Sequence, residues 1–178
     1  KKTVLVLIAK PVSRFEIILG KHMGLGAVIG VLMTVQTAIF MTILVVQGLA
    51  FPAGSMLVAI AYMYLEMLLI IAVTLVFGVF TSSLLATLLS FGIYLVGHLS
   101  TDLLRLGQLA ESEGFQNVVE AMYVVLPDLE RLNLKNEAVY GAGLLPEPGV
   151  LALNALYGVI YTALLLVIAG NIFTRRQF

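Results

Sequence analysis

Residues 22–65 read HMGLGAVIGVLMTVQTAIFMTILVVQGLAFPAGSMLVAIAYMYL and contain no Asp, Glu, Lys or Arg. A membrane-spanning helix needs about 20 mostly apolar residues, so this stretch is long enough for two. Within it, residues 49–54 (LAFPAG) form a turn signal built on Pro52 and Gly54. The stretch therefore predicts two spanning helices joined by a turn, at about residues 25–46 and 56–80.

Two more apolar runs follow. Thr81, Ser82 and Ser83 offer side chains that can cap the start of a new helix, and a third, shorter span is predicted at about residues 84–100. A fourth is predicted at about residues 150–173. Lipid offers no partner for backbone polar groups, so a spanning segment must be a helix or part of a closed barrel. These runs are too long and continuous for barrel strands, which predicts an all-α polytopic bundle of about four spans.

Composition excludes several classes of protein. The chain is 61% hydrophobic and 11% charged with mean hydropathy +1.07, whereas soluble domains are near half apolar and a quarter charged. A net charge of zero argues against nucleic acid as a partner. The absence of cysteine excludes disulfides and thiolate metal sites. His22 and His98 are predicted at opposite membrane faces, so we expect no metal, cofactor or catalytic site in this chain.

Basic residues set the expected orientation. They precede the first span at Lys1, Lys2, Lys10, Arg14 and Lys21, and follow the last at Arg175 and Arg176. Residues 101–149 instead carry eight acids against three basic residues, Arg105, Arg131 and Lys135. Because cytoplasmic flanks are enriched in Lys and Arg, we expect a multi-pass protein of the cell membrane with both ends cytoplasmic and residues 101–149 outside.

The outer segment contains an amphipathic pattern. Apolar residues recur at helical spacing at Phe115, Val118, Val119, Met122, Tyr123 and Leu126, and Pro127 ends the pattern. We expect a short helix there. It would lie on the outer membrane surface, pack over the spans, or be an ordinary ectodomain helix, and the pattern alone does not choose between them.

The first 22 residues predict a cytoplasmic interfacial segment with a corner in it. Pro11 cannot sit inside a continuing helix without kinking it. Ser13 and Glu16 then have the spacing of a capping box, in which each side chain bonds the backbone N–H of the other residue. A helix is therefore predicted to begin near Arg14, run along the cytoplasmic surface and enter the first span.

Four glycines follow that corner, at Gly20, Gly24, Gly26 and Gly30. They form two small-xxx-small pairs, which allow helices to approach closely in a membrane. Packing within one chain and a dimer face are both consistent with the pattern.

Residues 9–21 (AKPVSRFEIILGK) resemble the signature that precedes a span in ABC transporter permeases of the ABC-2, or type-2 exporter, family. The chain is most similar to the branch associated with multi-copper enzyme maturation, which includes nitrous oxide reductase maturation permeases. Residues 126–141 and the ending IFTRRQF resemble that branch's outer segment and C-terminus. Such permeases usually have six spans, so the resemblance implies that this chain holds the last four.

The resemblance implies a permease that works as a dimer with two ATPase subunits, which bind ATP and Mg²⁺. It places the ATPase-coupling region at Lys10, Pro11, Ser13, Arg14 and Glu16. The chain itself has no P-loop: around its only Gly-Lys pair, Gly20-Lys21, the earlier glycine position is Phe15 and the following residue is His22. A non-transporting scaffold subunit is the alternative, and an intramembrane enzyme is disfavoured by the motifs.

Glu66 lies near the middle of the second predicted span, close to Tyr62. A carboxyl group at that depth is costly, so it marks either a substrate path or a structural hydrogen bond to a neighbouring helix. Its candidate partners in the first span are Thr34, Gln36 and Thr37.

A second polar group, formed by His98, Ser100 and Asp102, has the residue types of a catalytic triad. Residues two apart on one helix point in different directions, however, which argues against catalysis.

Overall fold

The computed structural model describes residues 13–109 and 113–175, and within them the chain forms only helices and turns. The predicted all-α fold is confirmed. Four long helices make the bundle: α1 (Arg14–Val46), α2 (Ala53–Phe80), α3 (Ser83–His98) and α7 (Pro148–Arg175). Between α3 and α7 lie α4 (Ser100–Leu109), α5 (Glu113–Val125), α6 (Lys135–Val139) and the 3₁₀ turns Glu130–Leu132 and Ala142–Leu144.

The helix ends follow the local signals. The Ser13 hydroxyl caps α1, and the predicted helix therefore begins at Arg14. Gly48 has φ +67°, a left-handed conformation that suits glycine, and it ends α1 just before the predicted turn. The Ser82 hydroxyl accepts a hydrogen bond from the Leu85 N–H and caps α3, as the Thr81-Ser82-Ser83 triplet predicts.

Three helices, α1, α2 and α7, are long and apolar enough to cross a membrane. The predicted third span differs. α3 has 16 residues, so it is about 24 Å long, shorter than the roughly 30 Å hydrocarbon core. After α3 the chain bends by 64° into α4. The described residues therefore contain three candidate spans, or four if α3 and α4 together form one bent span.

The segment after α5 fills the space that the short α3 leaves in the bundle. Leu129, Leu132 and Leu134 are buried in one cluster with Tyr62 and Leu69 of α2. The Leu129 N–H also donates a hydrogen bond to the Gly97 carbonyl at 3.0 Å, at the end of α3. Part of the predicted outer segment is therefore core rather than surface.

A polar cluster fastens this segment to its neighbours. Asp128, 6% exposed, accepts hydrogen bonds from the Ser100 hydroxyl of α4 at 2.8 Å and from Arg131 Nε at 2.9 Å, and its own N–H donates to the Tyr157 hydroxyl of α7. Hydrogen bonds to Tyr123 and to Asp128 hold the pKa of Arg131 above its ordinary value. The segment is therefore bonded to both α4 and α7.

The predicted amphipathic helix is α5, and it ends at Val125 before Pro127. It packs mainly on α4, where Val119 lies against Gly107. Val118, Val124 and Val125 stay exposed. The end of α5 also reaches the spans, because the Tyr161 hydroxyl of α7 donates to the Val125 carbonyl, and Val125 lines a cavity with Val73 of α2. Contact of α5 with the membrane surface stays a prediction.

Candidate functional site: a buried carboxylate–imidazole pair

Glu66 lies at the midpoint of α2 and is completely buried, with 0% of its surface exposed. It is the one acidic residue among the largest fully buried side chains of the described structure. A carboxyl group without water or partners would cost several kcal/mol there, so its surroundings decide what it does.

The partner of Glu66 is His98, the last residue of α3. His98 Nε2 lies 3.4 Å from Glu66 Oε1, slightly longer than a normal hydrogen bond, and neither group has a hydrogen bond through these atoms to any other described residue. The candidate partners Thr34, Gln36 and Thr37 are wrong: the Thr34 hydroxyl bonds its own helix at the Gly30 carbonyl, and the other two line a groove.

Each ring nitrogen of His98 lies close to one oxygen atom. His98 Nδ1 lies 3.1 Å from the Tyr94 carbonyl, which only accepts, so Nδ1 carries a hydrogen. In a neutral imidazole Nε2 is then bare, and Glu66 must be protonated to donate to it. If Nε2 also carries a hydrogen, the carboxylate is the acceptor. A single proton shared between Glu66 and His98 satisfies the contact in both cases.

The pair joins α2 to α3 at the point where α3 stops. The His98 ring also lies against the Tyr94 ring, with centroids 4.4 Å apart and planes tilted by 48°, and this contact helps to orient the imidazole toward Glu66. The arrangement can therefore hold α2 and α3 together.

The supposed triad is separated. His98 faces Glu66, the Ser100 hydroxyl donates to Asp128, and Asp102 is an exposed residue 3.9 Å from Arg105. These three side chains have three different partners, so they do not form a nucleophile–base–acid chain.

The two histidines lie closer in depth than the sequence indicates. His22 Nε2 contacts the Leu68 carbonyl at 3.0 Å, while His98 faces Glu66 two residues earlier on α2. The prediction that they lie at opposite membrane faces is wrong, because α3 ends deep in the bundle. No group of three or more metal-ligating side chains occurs among residues 13–109 and 113–175.

Two tyrosines of α2 join it to neighbouring helices through their hydroxyl groups. The Tyr62 hydroxyl donates to the Leu151 carbonyl and so joins α2 to α7. The Tyr64 hydroxyl donates to the Gly26 carbonyl at 3.1 Å, and its ring fills the space beside Gly30. One of the two predicted glycine pairs therefore packs within the chain.

The other pair, Gly20 and Gly24, has nothing within 4 Å of its open side, and a dimer face there stays a prediction.

The corner at the start of α1 is the second candidate site. The Glu16 N–H donates to Ser13 Oγ at 3.2 Å, and the Ser13 N–H donates to Glu16 Oε2 at 2.8 Å, so the predicted capping box is confirmed. Arg14 Nη1 donates to the Phe173 carbonyl of α7 at 3.1 Å, and its guanidinium lies over the Phe173 ring. Lys10 and Pro11, predicted in the same region, lie outside the described residues.

These features define a polytopic α-helical membrane protein whose first helix begins at a fixed corner and is tied to the last. The family model described as ABC-2 family transporter protein matches residues 1–178, so the chain belongs to that family. It is thus a membrane permease component of an ABC transporter. No match was found among curated proteins or solved structures. The resemblance to the multi-copper and nitrous oxide reductase maturation branch stays a resemblance.

Proposed function

We propose that this chain is the permease subunit of an ATP-driven exporter, in which ATP hydrolysis by a separate ATPase subunit moves the permease helices and switches access to a transport path. Two copies of the permease work with two ATPase subunits, which carry the ATP and Mg²⁺. Family membership across the whole chain supports the permease role, and the corner at Ser13 and Arg14 supports the coupling.

The observation that carries the proposal is that the corner holds two spanning helices at once. The capping box fixes the first turn of α1, and Arg14 fastens that turn to the Phe173 carbonyl in the last turns of α7. Phe15 adds a close contact, since its ring occupies the space beside Gly170. A force applied by an ATPase at this corner therefore acts on α1 and α7 together.

From the corner, contacts lead through the bundle. α1 is bonded to α2 where His22 contacts the Leu68 carbonyl and where Tyr64 contacts Gly26. α2 is joined to α3 by Glu66 and His98. These links are discrete polar contacts, so helices that slide past one another must break or exchange them. Glu66 in this proposal is a positioning residue between helices, not a catalytic one.

The second candidate function is a scaffold subunit without transport, and association with an ATPase separates the two. Affinity purification of the tagged chain from its native membrane should recover an ABC ATPase in comparable amount. Recovery of the intact chain in a stable complex that holds no ATPase would overturn the exporter proposal.

The proposed orientation has the start of α1 and the end of α7 in the cytoplasm, and residues 101–149 outside. The chain has no cysteine, so single cysteines can be introduced cleanly. We expect exposed Asn117→Cys in α5 to react with an impermeant thiol reagent in intact cells, and exposed Arg175→Cys to react only after lysis. The reverse labelling pattern would show that the protein has the opposite orientation.

Coupling is tested at the corner. Ser13→Ala alone should cost about 1 kcal/mol of helix capping. Combined with Arg14→Ala, it also detaches α1 from Phe173, and we expect the reconstituted complex to keep ATPase activity while losing most ATP-dependent motion. The readout is the labelling rate of Lys21→Cys with and without ATP, because Lys21 lines a cavity that Ile18 and Phe173 also line.

The matched control for this prediction is Ser82→Ala, which removes the hydroxyl that caps α3 instead. It should leave the ATP-dependent labelling change intact. A double variant at Ser13 and Arg14 that responds to ATP like the unaltered protein would remove the corner from the coupling mechanism.

A further inference from the structure

An apolar groove of about 250 Å³ opens between α1 and α2 beyond their close crossing at Gly26 and Gly30. Its lining includes Met33, Gln36 and Phe40 of α1, Ala59 and Met63 of α2, and Lys135 of α6. The volume is close to the lower end of ligand sites, which run from about 300 Å³ upward.

The two helices that form the groove are spanning helices, so its apolar part lies at membrane depth. Space of that kind in a bilayer is filled by hydrocarbon. Met33 and Met63 both line it, and their flexible side chains can adapt to an irregular apolar ligand.

Polar groups are placed at one end and along one wall. Lys135 is an exposed residue in the first turn of α6, and the same helix is held on α2 by the Ser55 hydroxyl, which donates to the Ala138 carbonyl at 2.7 Å. Gln36 has an exposed amide within the span, with no hydrogen bond to any described residue. A ligand for this groove must therefore be apolar along its length and polar at the Lys135 end.

The ion pairs of residues 101–149 indicate which charge the polar end of the ligand must carry. Arg131 bonds Asp128 at 2.9 Å, and Arg105 lies 3.9 Å from Asp102. Lys135, the third basic residue of residues 101–149, has no carboxylate within 4.0 Å among the described residues, and its charge interacts with the Glu66 carboxyl only at longer range. It leaves a positive charge at the edge of an apolar groove, and basic side chains between membrane helices attract acidic lipid headgroups.

We propose that this groove binds an anionic phospholipid of the bilayer, with one acyl chain between α1 and α2 and the acidic headgroup at Lys135. The site does not depend on ATPase coupling, because it would exist equally in a scaffold subunit.

The test uses the purified complex in nanodiscs that contain either phosphatidylglycerol or phosphatidylcholine with a photoreactive diazirine in one acyl chain. After irradiation, mass spectrometry locates and quantifies the labelled peptides. We expect labelling within residues 33–40 and 56–63, with the anionic probe favoured about fivefold over the zwitterionic one.

Variants separate the headgroup contact from the chain contact. Lys135→Gln should remove the preference for phosphatidylglycerol, while Lys135→Arg should keep it. Arg105→Gln, which removes an exposed cation outside the groove, should change nothing. Thr37→Phe fills the groove from α1 and should abolish its labelling by both probes, whereas Ala38→Phe on the exposed side of the same helix should not.

Three results would overturn the proposal: equal labelling by the two probes in the unaltered protein, an unchanged preference in Lys135→Gln, or labelling spread evenly over the outer surface of α1. Thermal melting of each variant shows whether it is folded. If Thr37→Phe does not fold, the comparison of Lys135→Gln with Lys135→Arg still decides the result.

Discussion

His98→Leu is expected to destabilise the helix bundle by about 3 kcal/mol or more, because it leaves Glu66 fully buried with no partner. Glu66→Leu should cost less, about 1–3 kcal/mol, since the His98 side chain is 18% exposed and can turn toward water. The double replacement, which removes both polar groups, should be more stable than His98→Leu alone. Free energies of unfolding in one detergent would show this order.

Glu66→Gln is the matched conservative variant. An amide retains a donor and an acceptor of nearly the same shape, so it can bond His98 Nε2 without the carboxyl proton. We expect it to fold better than Glu66→Leu, and Lys at this position to be tolerated least. Glu120→Gln, an exposed carboxylate on α5, serves as the control and should have little effect.

A contradictory result would be equally informative. If Glu66→Gln and Glu66→Leu were equally stable and equally active, Glu66 would have no important polar partner. If the double replacement were less stable than His98→Leu, the two side chains would not be an energetic pair, and the 3.4 Å contact would have no role in joining α2 to α3.

Uncharged runs and capping residues predicted the helices well. The turn at residues 49–54 and the caps at Ser13 and Ser82 depend on neighbours within a few positions, and the structure confirms each of them. The burial of Glu66 also follows from its sequence position alone, because a carboxyl group in the middle of a span must avoid lipid.

The partner of Glu66 could not be predicted in the same way. It depends on the length of α3 and on the segment that covers its end, both of which are set by contacts between distant residues. In the sequence, the acidic outer segment includes Leu129, Leu132 and Leu134. The spacing of the three follows neither a regular helical period nor a regular strand period. Their burial against Tyr62 requires α3 to stop at His98.

The contact at Gly97 controls this arrangement, and Gly97→Ala is expected to disrupt it. A Cβ at Gly97 would lie 2.8 Å from the Pro127 carbonyl oxygen and 2.7 Å from Leu129 Cγ. Alanine favours a helix over glycine by about 1 kcal/mol, but backbone that must move in a packed core typically costs about 1–3 kcal/mol or more. We expect a net loss near 2 kcal/mol and faster proteolysis of residues 126–134.

Gly92→Ala on the same helix separates packing from helix propensity, because a Cβ there meets nothing within 4 Å. It should stabilise the protein slightly. Leu129→Ala should not rescue Gly97→Ala, since the Pro127 carbonyl still occupies the space beside Gly97. Equal melting temperatures for Gly97→Ala and Gly92→Ala would show that residues 126–134 can move away freely. Because the Leu129 N–H bonds the Gly97 carbonyl next to His98, such freedom would also leave the Glu66–His98 pair without a fixed support.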